Sequence, residues 1–136
     1  MPAFSIVVDA SIAIRAMVDE HDEALDWFAR IEAGEVQAFW PQLAFVEIAN
    51  GLATLVRARR IDAEAAVAGL AYALAAPIEA EPLGVLAQPA LALALARSVS
   101  AYDACYIVLA EAAQATLVTA DRKLAAATEA AVLIGE

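Results

Sequence analysis

Five short apolar stretches, 4–8, 36–39, 77–81, 116–119 and 131–134, are separated by segments of helical length, and this alternation leaves few architectures open. The first, FSIVV, is the strongest strand; the third lies between Pro77 and Pro82 and is the weakest. Helices are expected over 11–18 and 21–33, the second ending at Gly34, a residue suited to a left-handed helix end. Pro41 suits the first turn of a helix reaching Arg59, and Asp62 the cap of another running to Ala75. Pro89 can start a helix to Ser98. The alternation LALALAL there also permits a strand, but its alanine content favours helix. Ser100 and Asp103 form an S-x-x-D capping pattern before a helix over 101–113, and a short helix follows over 121–128. Strands separated by helices imply an α/β fold with a mostly parallel sheet covered on both faces. No linker, repeat or low-complexity tract divides the 136 residues, which fit one domain.

Four carboxylates sit against these apolar segments. Asp9 ends FSIVVD, Glu47 interrupts AFVEIANGL, Asp103 opens YDACYIVLA and Asp121 follows ATLVTA. A buried carboxylate is costly unless it is protonated, paired or bound to a cation. In parallel sheets the ligand site lies beyond the carboxyl ends of the strands. Asp9 and Asp121 fall at such ends, and Asp103 at a helix N-terminus, where the dipole favours negative charge. Singly, Asp9, Asp103 and Asp121 are each explained as helix-cap or first-turn residues. Glu47 has no such explanation, which favours a shared site. Carboxylates without histidine or thiolate suit hard cations, Mg²⁺ or Mn²⁺, which can activate water against a phosphodiester. Ser11 and Thr119, each two residues from an acid, can orient water or contact phosphate, or simply form a helix cap and a strand-end turn.

Composition removes several rival chemistries. One cysteine, Cys105, and one histidine, His21 among acids at a solvated helix entry, exclude a Cys/His zinc site and a triad built on a buried histidine. The single cysteine also fits a reducing, cytoplasmic setting. The longest uncharged run, 82–96, has 15 residues and two prolines, too short and broken for a membrane span, and the N-terminus lacks the pattern of a signal peptide. A net charge of −10 argues, taken alone, against extended nucleic-acid binding and fits a metal site or a basic protein partner. Asn50, Thr54 and Arg57 follow Glu47 along roughly one helix face, a polar stripe expected to border a cleft. Arg57, Arg59 and Arg60 form the one basic cluster. It reads either as cations at a helix C-terminus or as phosphate or partner contacts.

The pieces VVDASIAI, FVEIANGL, SAYDACYIVLAE and LVTADRKLAAA, in this order and spacing, resemble a PIN-domain ribonuclease, specifically the VapC-type toxins of prokaryotic toxin–antitoxin pairs. The resemblance spans nearly the whole chain, except the Ala-rich segment 62–96, which offers no matching motif. It implies a five-stranded parallel sheet and a quartet of Asp9, Glu47, Asp103 and Asp121 around Mg²⁺ or Mn²⁺. Ser11 and Thr119 become supporting hydroxyls, and Asn50 matches a frequent neighbour of the glutamate. It further implies a homodimer, an RNA substrate such as tRNA or rRNA, and a cognate antitoxin whose basic tail blocks the acidic cleft. RNA backbone contacts then fall to Arg57, Arg59, Arg60, Arg122 and Lys123, so binding is expected to be weak and salt-sensitive. Two other readings stand beside this one: a PIN fold kept only as a binding module, and a Mg²⁺-binding phospho-accepting receiver domain. The receiver would want an acidic pair before the accepting Asp and a Lys after a late strand. Here the first strand ends in a lone Asp9, and Lys123 follows Asp121 almost directly.

Overall fold

A computed structural model describes residues 4–135. Five strands form one sheet: β1 (Ser5–Val8), β2 (Gln37–Pro41), β3 (Ile78–Glu81), β4 (Thr116–Thr119) and β5 (Ala131–Leu133). All neighbouring pairs are parallel, and the order is β3-β2-β1-β4-β5. Seven helices connect them: α1 (Ala10–Met17), α2 (Asp22–Glu32), α3 (Leu43–Arg57), α4 (Ala63–Ala75), α5 (Leu83–Arg97), α6 (Ala101–Ala113) and α7 (Arg122–Ala126). Parallel strands need right-handed crossovers, so α1–α4 cover one face and α5–α7 the other. The contacts agree: α1 to α4 pack among themselves, and α5 lies along α6. Burial on both faces explains the consecutive apolar residues within β1 and β4; Ile6, Val7, Val8, Leu117 and Val118 are fully buried.

The helix boundaries show which local signals act as expected. Asp62 caps α4, its Oδ1 accepting from Ala65 N at 2.7 Å. Ser100 caps α6, its Oγ accepting from Asp103 N at 3.0 Å. Gly34 adopts φ 74° after α2, and the N–H groups of Gly34 and Glu35 close back on the carbonyls of Ile31 and Arg30. His21 precedes α2 as expected, but it is half-buried rather than solvated.

The two prolines differ from expectation. Pro41 ends β2 instead of opening a helix, and α3 begins at Leu43. β2 pairs with β1 only as far as Phe39, whereas Pro41 is in register with Glu81 of β3, so one side of the strand asks no N–H of Pro41. Pro89 lies inside α5, which starts six residues earlier at Leu83. It is exposed, so its ring projects to solvent while Leu86 and Ala90 hold the helix to the core. The LALALAL segment is therefore helical. No single helix among the described residues is long and apolar enough to cross a membrane; α5 and α6 together reach that length but bend by 108° between them.

Candidate metal centre

The strand order sets where a ligand can sit. From β1 the chain runs to β2 and β3 on one side, then returns to β4 and β5 on the other. The direction of winding therefore reverses between β1 and β4, the switch point at which open parallel sheets leave a crevice. Asp9 follows β1 at this point, and Thr119 ends β4 beside it; Asp9 N donates to Val118 O at 3.0 Å. Asp9 is 8% exposed and Thr119 0%, so a carboxylate and a hydroxyl lie buried side by side.

Two hydroxyls join the strands through the Asp9 carboxylate. Ser11 Oγ donates to Asp9 Oδ2 at 2.6 Å and accepts from Ala120 N at 3.0 Å. Thr119 Oγ1 donates to the same Oδ2 at 2.8 Å and accepts from Asp121 N at 2.9 Å. The β1 end thus holds the backbone after β4, while the β4 end holds the side chain after β1. Both hydroxyl bonds fall on Oδ2, which leaves Oδ1 as the oxygen for a ligand. Burial pushes the Asp9 carboxyl above its ordinary range, Ser11 and Thr119 oppose that, and the charges of Asp121 and Asp103 add to it.

The other three acids stand on separate elements. Glu47 stands in the first half of α3, half-buried, and its Oε1 accepts from Tyr106 Oη at 2.5 Å. Burial raises its carboxyl, the Tyr106 bond lowers it, and the charges of Asp9 and Asp103 raise it again. Asp103 lies in the first turn of α6; burial and then Asp121 raise its carboxyl, against Lys123 and Ser100. Asp121 is exposed and caps α7, its Oδ1 accepting from Lys123 N at 2.9 Å and Leu124 N at 3.3 Å. Its capping role is real, yet it occupies one carboxylate oxygen only.

The remaining sequence candidates divide. Ser11, Thr119 and Lys123 belong to the acidic rim. Asn50 is exposed and has no hydrogen bond to an acid of the quartet among the described residues. The polar stripe instead closes on itself: Thr54 Oγ1 donates to Asn50 O at 2.9 Å, and Arg57 Nη2 to Thr54 Oγ1 at 3.4 Å. Arg57 lies ten residues from Glu47, about 15 Å along the helix. Arg59 and Arg60 continue past that end, Arg59 with φ 61° closing the helix. Arg122 opens α7 beside Lys123. Cys105 is buried, its thiol pushed up by burial and by Glu47, as suits an unreactive packing residue. Tyr106 is the site residue that the sequence reading missed; its one signal is the D-x-x-Y spacing from Asp103, which puts both on one face of α6.

Carboxylate oxygens at the switch point fit a hard divalent cation. Three of the four acids are held above their ordinary range by burial and by one another, a cost that a bound cation relieves. The ion pairs of Arg15, Arg30 and Arg97 all go to other acids. Among the described residues no three acids close into a ready cage. The charges of Asp103 and Asp121 act on Asp9, and those of Asp9 and Asp103 on Glu47. A surface cavity lined by Arg97, Glu111, Thr128 and Glu129 lies at the far end of α6 from Asp103 and has no part in this rim.

Sheet and switch point define an α/β protein with a parallel sheet and with acidic residues at the carboxyl ends of β1 and β4. The chain belongs to the PIN domain family, whose profile matches residues 6–130. Among solved structures it is similar to PAE2754 from Pyrobaculum aerophilum, with 29% identity, TM-score 0.71, and coverage of 95% of this chain and 90% of that one. A toxin–antitoxin complex from Klebsiella pneumoniae matches with 19% identity, TM-score 0.67, and coverage of 93% and 95%. VapBC2 from Rickettsia felis, bound to a DNA fragment from its promoter, matches with 14% identity, TM-score 0.66, and coverage of 96% and 98%. No curated protein matches the chain. A receiver domain is excluded by topology, because its sheet runs 2-1-3-4-5 whereas this one runs β3-β2-β1-β4-β5.

Proposed function

We propose that this PIN domain is a Mg²⁺- or Mn²⁺-dependent endoribonuclease, the VapC-type toxin of a toxin–antitoxin pair. The observation that carries the reading is Asp9 at the β1/β4 switch point, buried and doubly hydrogen-bonded, with the charges of Asp103 and Asp121 acting on it and its own acting on Glu47. Asp9, Asp103 and Asp121 hold the cation, and Glu47 holds a second one or orients the attacking water. A bound divalent ion supplies the positive charge that activates water and stabilises the attacking and leaving oxygens of the phosphodiester. Ser11 and Thr119 keep the Asp9 carboxylate fixed by its Oδ2, so that Oδ1 faces the ligand. Water is the nucleophile, and no side chain becomes covalently bound to the substrate.

Partners follow from charge. At −10 the chain repels RNA except where the cation and a few basic residues intervene. Lys123 and Arg122 flank the rim and contact backbone phosphate; Arg57, Arg59 and Arg60 lie farther away and serve a longer RNA or the antitoxin. An antitoxin with an Arg- or Lys-bearing tail is drawn to the same acids and blocks them. Two of the similar solved structures are toxin–antitoxin assemblies, which supports this pairing; such a pair would act in the cytoplasm. The working form is a homodimer, and the substrate a structured RNA such as tRNA or rRNA, cut at an accessible loop.

Purified protein should cleave RNA with Mg²⁺ or Mn²⁺ and stop on chelation. Asp103→Asn should lose at least about a hundredfold in rate while remaining folded. Full activity in Asp103→Asn would defeat the assignment, and RNA or antitoxin binding without divalent-cation binding would identify a binding module instead.

A further inference from the structure

We propose that Tyr106 is a positioning residue, a phenol bridge that sets Glu47 against the Asp9 end of β1; the inference rests on the nuclease reading above. Tyr106 is 1% exposed, and its hydroxyl emerges between α6, α3 and the start of α1. A carboxylate only accepts hydrogen bonds, so the 2.5 Å contact is Tyr106 Oη donating to Glu47 Oε1. Burial and the charges of Asp9 and Glu47 push this phenol well up, against the backbone of Ala10, the residue after Asp9, which lowers it. The Tyr106 Oη–H to Glu47 Oε1 bond therefore ties α6 to α3 across 59 positions, at a phenol that the charge of Asp9 also reaches.

Glu47 needs such a bridge more than the other acids do. Asp9 is held by Ser11 and Thr119, and Asp121 by the first N–H groups of α7. Asp103 has a short side chain fixed near the start of α6. Glu47 is longer, stands in a helix interior where no N–H is spare, and has Tyr106 as its hydrogen-bond partner among the described residues. Left unheld, a glutamate samples several rotamers, and the repulsion of Asp9 and Asp103 favours those pointing away. The phenol occupies Oε1 and leaves Oε2 without a protein hydrogen bond among the described residues. Because Tyr106 follows Asp103 by three positions, one turn of α6 supplies both an acid and the support for another.

The test uses the full chain without RNA, titrated with Mn²⁺ in a calorimeter. Tyr106→Phe removes one oxygen and keeps the ring, and urea unfolding verifies that the variant is folded. It should weaken Mn²⁺ binding about tenfold, the scale of a lost support behind a metal ligand. In a Glu47→Gln background the same change should have less than about a twofold effect, because the group it positions is already altered. In the unaltered chain, the Tyr106 hydroxyl proton should show an NMR shift on saturation with Mg²⁺. Unchanged Mn²⁺ affinity in Tyr106→Phe, an equal loss in both backgrounds, or an unmoved hydroxyl resonance overturns the bridge and leaves the nuclease reading standing. If the unaltered chain neither binds Mn²⁺ nor cleaves RNA, the nuclease reading falls, and the bridge with it.

Discussion

Thr119→Val isolates the hydrogen-bond network at the switch point without opening a cavity, because a methyl group replaces a hydroxyl of similar size. Thr119 is fully buried, and its hydroxyl serves two partners, Asp9 Oδ2 at 2.8 Å and Asp121 N at 2.9 Å. Loss of a bond to a charged acceptor costs about 1.5–3 kcal/mol, and the backbone bond adds roughly 0.5–1 kcal/mol, since water can reach the exposed Asp121. The sum, about 2–4 kcal/mol, is a large share of the roughly 5–15 kcal/mol that holds a domain folded. With about 2.1 cal/mol/K of unfolding entropy per residue over 136 residues, each kcal/mol lowers Tm by about 3.5 °C, so Tm should fall by about 7–14 °C. The loss must also depend on pH. Thr119 counters the rise in the Asp9 carboxyl, so without it the folded-state value rises further. A carboxyl raised in the folded state adds stability below its unfolded value and loses it as pH climbs through the folded value. The cost of Thr119→Val should therefore be greatest near neutrality and shrink towards acid. Urea unfolding followed by fluorescence of Trp27 and Trp40, with chelator present, measures both effects. A cost below about 0.5 kcal/mol, or one that grows towards acid, refutes the network as described.

Three further outcomes follow from other parts of the molecule. Asp9, Glu47 and Asp103 are all raised, so in chelator the chain should become more stable as pH falls from 7 towards about 5.5, with Mg²⁺ adding more to Tm at neutrality than in acid; calorimetric melting that shows the opposite slope would contradict the crowded acids. Pro89→Ala restores an N–H donor within α5 at an exposed position and should raise stability by about 1–2 kcal/mol in urea unfolding, whereas destabilisation would mean that the break is required by packing. RNA affinity should fall steeply with salt, log K against log salt having a slope of about −0.7 for each phosphate contacted on a single strand, and Lys123→Ala should make that slope shallower by roughly one contact.

Much of the fold was legible because its signals are local. The run Ile6–Val8 announces a buried strand, and Asp62, Ser100 and Gly34 bound helices through bonds to residues at most a few positions away. Pro41 and Pro89 were misplaced for the complementary reason. A proline reports a missing N–H, but whether a strand or a helix tolerates the gap depends on its neighbours: β2 is unpaired with β1 at Pro41, and α5 is held to the core on either side of Pro89.

By itself the sequence determined which residues could carry the chemistry and at which ends of their elements they stand, since hydrophobic periodicity and capping act over single turns and single strands. Asp9 after β1, Asp103 in the first turn of α6 and Asp121 before α7 are all of this kind. Only the tertiary structure decided that β1 and β4 are neighbours at the reversal of winding, and strand order is a long-range choice that no local pattern encodes. That choice brings Thr119 to Asp9 across 110 positions and Tyr106 to Glu47 across 59, so that separately placed acids act on one another: Asp103 and Asp121 on Asp9, and Asp9 and Asp103 on Glu47.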